Sequence, residues 1–370
     1  MSRNIFSKIK NKYYFYNQFL FFRALKYSIL AFLILRIFSS LILLIGIIHP
    51  SPNPPFTGIT TDIFNKLNQQ GVFTRYFLAP WYRWDTAHYL VIAEFGYDFD
   101  PINTIWPPLF PFLIRCLSVV FHPPLVSAIL VSNIFFIVGL FLTFILTKEI
   151  FDEQVAKNTL FFLIIFPTSF FFIAAYSESL FLTLSVAVFL LLRRKKWLWA
   201  GLVSAFASLT RVQGVFLALA IAIEIFQEYL KNRSLKYLLT NLISCLYAPF
   251  AYGLYSLYVF FGLNTDWPWT VLTSNWGQHF GLPWEGIIGS LNVFFLKMIF
   301  NDNPPPVYLL NVIFSLFTIY LLFYLRKKIP FSISVYSWVM LFLILGKIDI
   351  NNALVSTLRY LIILFPIYIG

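Results

Sequence analysis

The residue with the clearest capacity for chemistry is Asp85, a carboxylate close in sequence to a cation and an imidazole. It lies in the run Tyr82-Arg83-Trp84-Asp85-Thr86-Ala87-His88-Tyr89, within the first long polar stretch after an apolar segment. The chain has only 15 acidic residues among 370, and 59% of its residues are hydrophobic. A carboxylate can accept the proton of a hydroxyl nucleophile. We therefore predict that Asp85 is the centre of the functional site.

Basic residues outside the blocks that flank apolar segments are a second candidate set, because arginine and lysine hold phosphate groups. Nine residues belong to it: Arg36, Lys66, Arg75, Arg83, Arg115, Arg211, Lys297, Lys347 and Arg359. Charges at membrane depth are costly and usually face a cavity or a partner. Asp85, Glu178, Arg211 and Arg359 are predicted on one side of the membrane, where they would line an outward-facing polar cavity.

Each of these side chains also has a structural interpretation that the sequence leaves open. Asp85 precedes an apolar helix and would cap it well. Glu178 and Arg211 are compatible with an interhelical salt bridge, and His88 with a hydrogen-bonded loop residue. Arg36 is compatible with a charge that is paired in a helix or snorkels inward. The aromatic residues of the polar stretches are first of all an interfacial belt, with a sugar platform as the alternative.

The composition is that of a polytopic membrane protein. Charged residues make up 11% of the chain, against about 25% in soluble proteins. The net charge of +12 does not indicate nucleic acid, because lysine and arginine accumulate in the cytoplasmic loops of membrane proteins. Five such blocks hold 18 of the 27 basic residues, at 3–26, 148–157, 193–196, 231–236 and 326–328. An even number of membrane crossings must separate successive blocks.

The apolar segments between these blocks predict one all-α domain over residues 1–370 with about ten transmembrane helices. The predicted spans are 27–48, 124–147, two within 159–192, two within 197–230, 238–262, 307–325, 331–346 and 355–370. The paired spans are short, with outer turns near 166–179 and 210–214. The last span stops at Gly370 without a basic flank, as it would in a fragment of a longer protein.

Two long outer loops follow from this topology, which places the N-terminus in the cytoplasm. The first loop covers 49–123, carries Asp85 and is opened by Pro50, Pro52, Pro54 and Pro55. Within it, the short apolar segment 107–121 is predicted to form a partial or re-entrant helix. The second loop covers 263–306 and is rich in tryptophan.

Several segments, taken in order, carry a family resemblance. The first runs from Arg83-Trp84-Asp85 through Ile92-Ala93-Glu94-Phe95-Gly96-Tyr97 to Trp106-Pro107-Pro108-Leu109-Phe110-Pro111. The second joins Phe166-Pro167-Thr168-Ser169 to Ala174-Ala175-Tyr176-Ser177-Glu178-Ser179-Leu180-Phe181. Shorter segments are Thr210-Arg211 to Gly214, Trp276-Gly277 to Gly286, and Arg359-Tyr360 to Pro366. Over about residues 80–370 the chain resembles the PIG-V-like family, related to GPI mannosyltransferase II, in a prokaryotic-type form.

The resemblance implies a GT-C fold, that is, a helical membrane glycosyltransferase with its site on the outer face. Such enzymes use polyprenyl-phosphate sugars as donors. Asp85 matches the acidic residue of the first outer loop, which is assigned the role of general base. Trp106-Pro107-Pro108 departs from the aromatic-aromatic-proline run more usual at that point. Prokaryotic members need not make GPI anchors.

We therefore predict an inverting glycosyltransferase of the cell membrane that transfers a monosaccharide from a polyprenyl-phosphate donor to a glycan or glycolipid acceptor. Asp85 is the predicted catalytic base. The predicted substrate-binding residues are Arg83, His88, Glu94, Tyr176, Glu178, Arg211, Gln278, Arg359 and Tyr360. Among these, Arg211 and Arg359 are the candidates to hold the phosphate. The residues identify no protein ligands for a metal and no cofactor, although a divalent cation stays an open alternative.

The alternative function is that of a transporter or flippase of a lipid-linked sugar, which would use the same polar cavity without chemistry. A transporter is expected to contain internal repeats, with broken helices near the middle of the membrane. Here the polar residues gather on one side and the long loops are outer. That arrangement favours the enzyme.

Overall fold

The structure, a computed structural model, describes residues 2–48, 65, 69, 71–72, 74–300, 305–349, 353–354 and 356–369. In the first helix, side chains are described for residues 18–45. The proline cluster at 50–55 and Lys66, both used in the sequence prediction, lie outside the described residues. The described chain is almost entirely helical, with one sheet of two short strands. This confirms the all-α class.

The N-terminal half contains one very long helix followed by shorter ones. The α-helices described there are α1 (Ser2–Ile48), α2 (Asp85–Phe95), α3 (Leu109–Ser118), α4 (Pro124–Ile150), α5 (Glu153–Ile165), α6 (Glu178–Arg193) and α7 (Trp197–Ser208). Asp152 caps α5 by accepting a hydrogen bond of 2.9 Å from the backbone N–H of Val155. Pro167 helps to end α5, because a residue before proline avoids helical backbone angles, and Phe166 has ψ 137°.

The C-terminal half carries the second polar region. Its described α-helices are α8 (Leu217–Asn232), α9 (Leu235–Leu242), α10 (Tyr247–Leu257), α11 (Pro268–Trp276), α12 (Pro283–Ile299), α13 (Val307–Leu325), α14 (Phe331–Gly346) and α15 (Thr357–Leu361). Strands β1 (Gln278–Phe280) and β2 (Lys347–Asp349) pair antiparallel, with His279 opposite Ile348. The sheet therefore joins the segment after α11 to the end of α14.

Helices α4 and α6 pack along each other in the centre of the bundle, with α1 and α5 against α4 and α7 against α6. Phe136, Phe144 and Phe181 are fully buried in this core. The two central helices approach closely at Gly139, where a Cβ atom would lie 2.8 Å from Thr183 Oγ1. Close packing of this kind gives a rigid frame, and the ends of its helices carry the charged residues.

Five helical segments among the described residues are long and apolar enough to cross a membrane. They are Gln18–Ile45, Pro124–Ile150, Val212–Asn232, Leu235–Gly262 and Val307–Leu325. Helices α3, α7 and α14 are apolar but shorter. The ten predicted spans are therefore represented by five of full length. Among the segments predicted as short pairs, α5 with 13 residues and α7 with 12 fall below the roughly 20 residues that cross a bilayer. Val212–Asn232, from the pair predicted within 197–230, reaches 21 residues.

The prediction of a helical span over 355–370 is wrong. Within that segment the described residues form α15, of only five residues, and a 3-10 helix at Phe365–Tyr368. Pro366 helps to explain the break, because proline lacks the N–H that would continue a helix. The intervening side chains from Leu361 to Phe365 are completely buried. The end of the described chain is thus a packed, broken segment of the core.

The bundle has two chemically different ends. At one end, Glu149 pairs with Arg193 and Arg194, and Glu153 pairs with Arg23 and other basic side chains. At the opposite end of α6, about 22 Å away at 1.5 Å per residue, lies Glu178. Residues of four of the five basic blocks, 3–26, 148–157, 193–196 and 231–236, therefore gather at the end remote from Glu178 and Asp85.

This separation supports a prediction about topology. Single cysteines introduced at Asp85 and Gln278 are expected to react with a membrane-impermeant thiol reagent from outside the cell. Cysteines at Arg194 and Lys327 should react only after the membrane is opened. The native Cys116 and Cys245 are replaced by serine in the background protein. Labelling of positions 85 and 194 from the same side would overturn the predicted orientation.

Candidate active site

The predicted site residues lie where several elements end, at one end of the bundle. Asp85 is the first residue of α2, and Tyr176 lies just before α6, which begins at Glu178. Arg211 lies between α7 and a 3-10 helix, and Arg359 lies in α15. Residues that are far apart in sequence are thus brought together by tertiary structure.

The residue before Asp85 has an unusual backbone conformation. Trp84 has φ 45° and ψ −121° and forms the N-cap of α2, whereas residues other than glycine seldom have a positive φ. Trp84 is 61% exposed, so burial of its side chain does little to offset the unfavourable backbone conformation. Strained conformations of this kind cost roughly 1–3 kcal/mol and cluster at functional sites. The strain is associated with the turn that presents Asp85.

Asp85 forms an ion pair with Arg359, whose Nη1 lies 2.7 Å from Asp85 Oδ2. The side chain of Asp85 is 24% exposed and that of Arg359 is 8% exposed. Burial by itself raises the pKa of Asp85, but the charge and hydrogen bond of Arg359, helped by His88 and Trp106, outweigh it and lower the pKa. Asp85 is therefore a carboxylate at neutral pH, open to solvent on one side.

Glu178 is the completely buried acid of the site. Its Oε1 atom lies 2.9 Å from Arg211 Nη1 and also accepts a hydrogen bond from Arg359 Nε. Its second oxygen, Oε2, has no hydrogen-bond partner among the described residues. One carboxylate thus holds two arginines side by side, and Arg359 links it to Asp85.

Three cations surround the ring of Tyr360. The ring centroid lies 5.2 Å from the guanidinium carbon of Arg211, 5.9 Å from that of Arg359 and 4.5 Å from Lys347 Nζ. Lys347 also donates a hydrogen bond of 2.6 Å to the Tyr360 hydroxyl. No carboxylate in the part of the chain that the structure describes forms an ion pair with Lys347. Three cations against Asp85 and Glu178 leave the cluster with one excess positive charge.

The side chains of Tyr176 and Ser177 contact the two arginines. Arg359 packs on the ring of Tyr176, with 4.4 Å between the guanidinium carbon and the centroid. The Tyr176 hydroxyl donates to the backbone oxygen of Arg83 at 2.9 Å. Ser177 Oγ lies 3.3 Å from Arg211 Nη1 and 2.8 Å from the Tyr89 hydroxyl. The turn before α6 is therefore bonded both to Arg211 and to the beginning of α2.

Gly214 allows the turn that carries Arg211 to form. A Cβ atom at Gly214 would lie 2.3 Å from the backbone carbon of Ala207 and 2.3 Å from the nitrogen of Ser208. The backbone N–H of Gly214 donates a 2.8 Å hydrogen bond to the carbonyl of Arg211. Only glycine fits this close approach, which accounts for the Thr210-Arg211 to Gly214 spacing noted in the sequence.

His88 belongs to an aromatic wall beside Asp85. Its ring stacks on Trp106 with centroids 4.1 Å apart, and Trp276 contacts both rings edge-on at 5.4 Å. The Nδ1 atom of His88 lies 2.8 Å from Asn103 Oδ1. The structural interpretation of His88 as a hydrogen-bonded residue is confirmed, although His88 lies in α2 and not in a loop; its part in substrate binding stays a prediction. Asn103 holds the ring in one orientation.

The side chains of three predicted substrate-binding residues, Glu94, Gln278 and Arg83, are not part of the charged cluster. Glu94 is exposed and lies nine residues, or about 13 Å, beyond Asp85 along α2. Gln278 is in β1, opposite Asp349, and its Oε1 is buried without a partner among the described residues. Arg83 contacts the cluster through its backbone oxygen. Substrate binding by these three residues, as by the other predicted binding residues, stays a prediction.

The structural alternatives considered for Asp85, for Glu178 with Arg211 and for Arg36 have different outcomes. Asp85 is not an N-cap, because Trp84 occupies that position and the carboxylate pairs with Arg359. The salt bridge between Glu178 and Arg211 is confirmed. Arg36 is paired within the bundle, since it donates to the Ile173 carbonyl at 3.2 Å and packs over the Trp81 ring.

Lys347 and Asn103 contact the site but were not among the predicted substrate-binding residues. Lys347 was one of the nine basic residues outside the cytoplasmic blocks, but nothing local linked it to Tyr360. Asn103 gave no signal, since an asparagine in a polar stretch is ordinary. No three His, Cys, Asp or Glu side chains gather as metal ligands among the described residues.

Comparison with known proteins gives the family. The model of the family described as mannosyltransferase (PIG-V) matches residues 21–273, more than half of the chain. That range includes Asp85, Glu178 and Arg211 but ends before Lys347 and Arg359. Neither the curated proteins nor the solved structures contain a match. The chain therefore belongs to the mannosyltransferase (PIG-V) family and is a membrane glycosyltransferase.

Proposed function

We propose that the protein transfers one monosaccharide from a polyprenyl-phosphate donor to a hydroxyl of a glycan or glycolipid acceptor. The site would open on the outer face of the membrane, and the overall fold would be of the GT-C type. The orientation rests on the gathering of the basic blocks at the end of the bundle remote from Asp85. A donor with a lipid tail also suits a site built at the ends of apolar helices.

The observation that carries this proposal is the set of three cations around Tyr360, beside the carboxylate Asp85. Placing several positive charges close together where solvent is largely excluded is unfavourable unless an anion offsets them. Asp85 and Glu178 offset two of the three, and the remaining charge matches a phosphodiester. Lys347 is the best placed to bind that phosphate, because it is bonded to a phenol and not to an acid.

The proposed reaction is a single displacement at the anomeric carbon, which inverts its configuration. The acceptor oxygen forms a bond to that carbon while the bond from carbon to phosphate oxygen breaks. The electron pair goes to the phosphate, which leaves as polyprenyl phosphate, and the acceptor proton goes to Asp85. The leaving group needs no protonation, which agrees with a site that places cations and not an acid around Tyr360.

Arg359 would have two roles in this reaction, because it pairs with Asp85 and also belongs to the three cations around Tyr360. A phosphate near Lys347 would compete with Asp85 for the guanidinium. Weakening the ion pair removes the main influence that lowers the pKa of Asp85, and burial then raises it. Donor binding would thus make Asp85 a stronger base. His88 and Glu178 would orient Asp85 and Arg359.

The function is tested by incubating the purified protein in lipid nanodiscs with radiolabelled polyprenyl-phosphate mannose, glucose and other polyprenyl-phosphate sugars. Membrane glycolipids serve as acceptors. Transfer of label from at least one donor is expected, and a nucleotide sugar alone should give none. Release of labelled sugar only from nucleotide donors would contradict the proposed donor class.

Lys347→Met is expected to raise the donor concentration for half-maximal transfer by about ten- to a hundred-fold. A hydrogen bond to a charged group is worth roughly 1.5–3 kcal/mol, and 1.4 kcal/mol is a factor of ten. Arg211→Ala and Arg359→Ala should also weaken donor use, but they disturb the buried acids as well. Lys196→Met, at an exposed lysine, is the matched control. Equal donor dependence in both methionine variants would remove Lys347 from the phosphate site.

A further inference from the structure

A second polar cavity lies beside the candidate active site and has no part in the proposed displacement. It has a volume of about 670 Å³ and is lined by the segment after α10, the end of α11 and Pro101. Asn264, Asp266 and Asn275 line it with exposed side chains. None of the three has a hydrogen-bond partner within the described chain, so their polar groups are available to a ligand.

The aromatic residues Phe260 and Phe261 line the same cavity. Phe260, which lines it, stacks on Trp267 with centroids 4.5 Å apart and planes 9° apart. Trp267 stacks on Trp269 at 5.0 Å and 8°. This three-ring stack lies at the end of the candidate span Leu235–Gly262, which is where interfacial aromatic residues are expected. A cavity at the end of this span would lie at the height of lipid head groups if the span crosses the membrane.

The cavity and Asp85 lie on opposite sides of the aromatic wall formed by His88, Trp106 and Trp276. Asn275 lines the cavity, and the next residue, Trp276, packs against His88 and Trp106. Pro101 lines the cavity and begins the 3-10 helix that carries Asn103, the partner of His88. A molecule held in the cavity would thus lie next to the aromatic wall that adjoins the base.

The charges of the residues that line this cavity indicate which kind of ligand it could bind. Asp266 is acidic, and none of the described residues that line the cavity is lysine or arginine. Such a lining disfavours a phosphate. Carboxylate and carboxamide groups suit hydroxyls, since they offer both acceptors and donors, and the flat rings of Phe260 and Phe261 suit the C–H face of a pyranose.

We propose that this cavity binds a neutral hexose unit of the acceptor glycan, with Asp266, Asn264 and Asn275 holding its hydroxyls. The assignment to the acceptor rests on the proposed function. The sugar-binding property does not, because it can be measured without transfer. An acceptor anchored in the lipid would carry its sugar at the height of this cavity.

The test is saturation-transfer NMR on the purified protein in deuterated detergent, with methyl α-mannoside, methyl α-glucoside, methyl α-galactoside and N-acetylglucosamine as probes. At least one sugar is expected to bind, and Asp266→Ala and Asn275→Ala should each weaken its binding about tenfold. Asp98→Ala, at an exposed acid outside the cavity, is the matched control and should bind as the wild type does. Thermal unfolding of each variant confirms that it is folded.

Two results would overturn the assignment. One is the absence of binding by every probe to the wild-type protein. The other is equal binding by Asp266→Ala and wild type, which would leave the ring stack as an interfacial anchor only. Asp85→Asn separates this inference from the proposed function. If it transfers sugar normally while Asp266→Ala loses sugar binding, the cavity stands and the catalytic assignment fails.

Discussion

Asp85→Asn is expected to lower sugar transfer by about 10²- to 10⁴-fold, the usual contribution of a general base. Asparagine keeps the shape of the side chain and can still accept a hydrogen bond from Arg359, but it cannot take the proton of the acceptor. Arg359 also keeps its bond to Glu178, so the protein should stay folded. The measurements are the rate of transfer in nanodiscs and the unfolding temperature in detergent.

The same variant distinguishes an enzyme from a transporter. A flippase that used this cavity without chemistry would lose little activity, because asparagine retains the polarity and size of the site. Near-normal transfer with Asp85→Asn would rule out the catalytic role. Loss of the folded protein would instead show that the ion pair with Arg359 is mainly structural. Asp98→Asn is the matched control, since Asp98 is an exposed acid just after the same helix and has no assigned role in the site.

The local features of the fold were accessible from the sequence. The predicted turns near 166–179 and 210–214 occur as 3-10 helices at Ser169–Phe172 and Val212–Phe216. The partial helix predicted within 107–121 occurs as α3, of ten residues. Proline, glycine and polar residues interrupt the apolar pattern at these points, and such interruptions are read from adjacent residues alone.

The contacts of the site were not accessible in the same way. Arg359 and Glu178 are separated by 181 residues, and no periodicity in either segment shows that they meet. The sequence predicted that the charges share one side of the membrane, but it could not predict which acid pairs with which cation. Lys347 was among the nine basic residues outside the blocks but was not chosen as a substrate-binding residue, because its partner is the uncharged hydroxyl of Tyr360. The broken segment near Pro366 was missed because its apolar residues equally suit a continuous helix.

Glu178→Gln is expected to destabilise the protein on the order of 3–5 kcal/mol, the cost of removing one partner from a buried ion pair. Glu178 is completely buried and is the only acid among the described residues that pairs with Arg211, whose side chain is 9% exposed. Glutamine has the same shape but no charge, so the Arg211 guanidinium would stay buried without an offsetting carboxylate. Chemical unfolding in a fixed detergent measures the loss.

The control is Glu149→Gln at the opposite end of the bundle, where Glu149 pairs with Arg193 and Arg194 at side-chain exposures of 33–51%. Exposed pairs contribute about 0–1 kcal/mol, so this variant should change stability little. Adding Arg211→Gln to Glu178→Gln removes the stranded charge and is expected to recover part of the stability, a coupling that a double-mutant cycle measures. Equal small losses in Glu178→Gln and Glu149→Gln would mean that water or a bound ion already offsets the charge of Arg211, and that the site is wetter than its packing indicates.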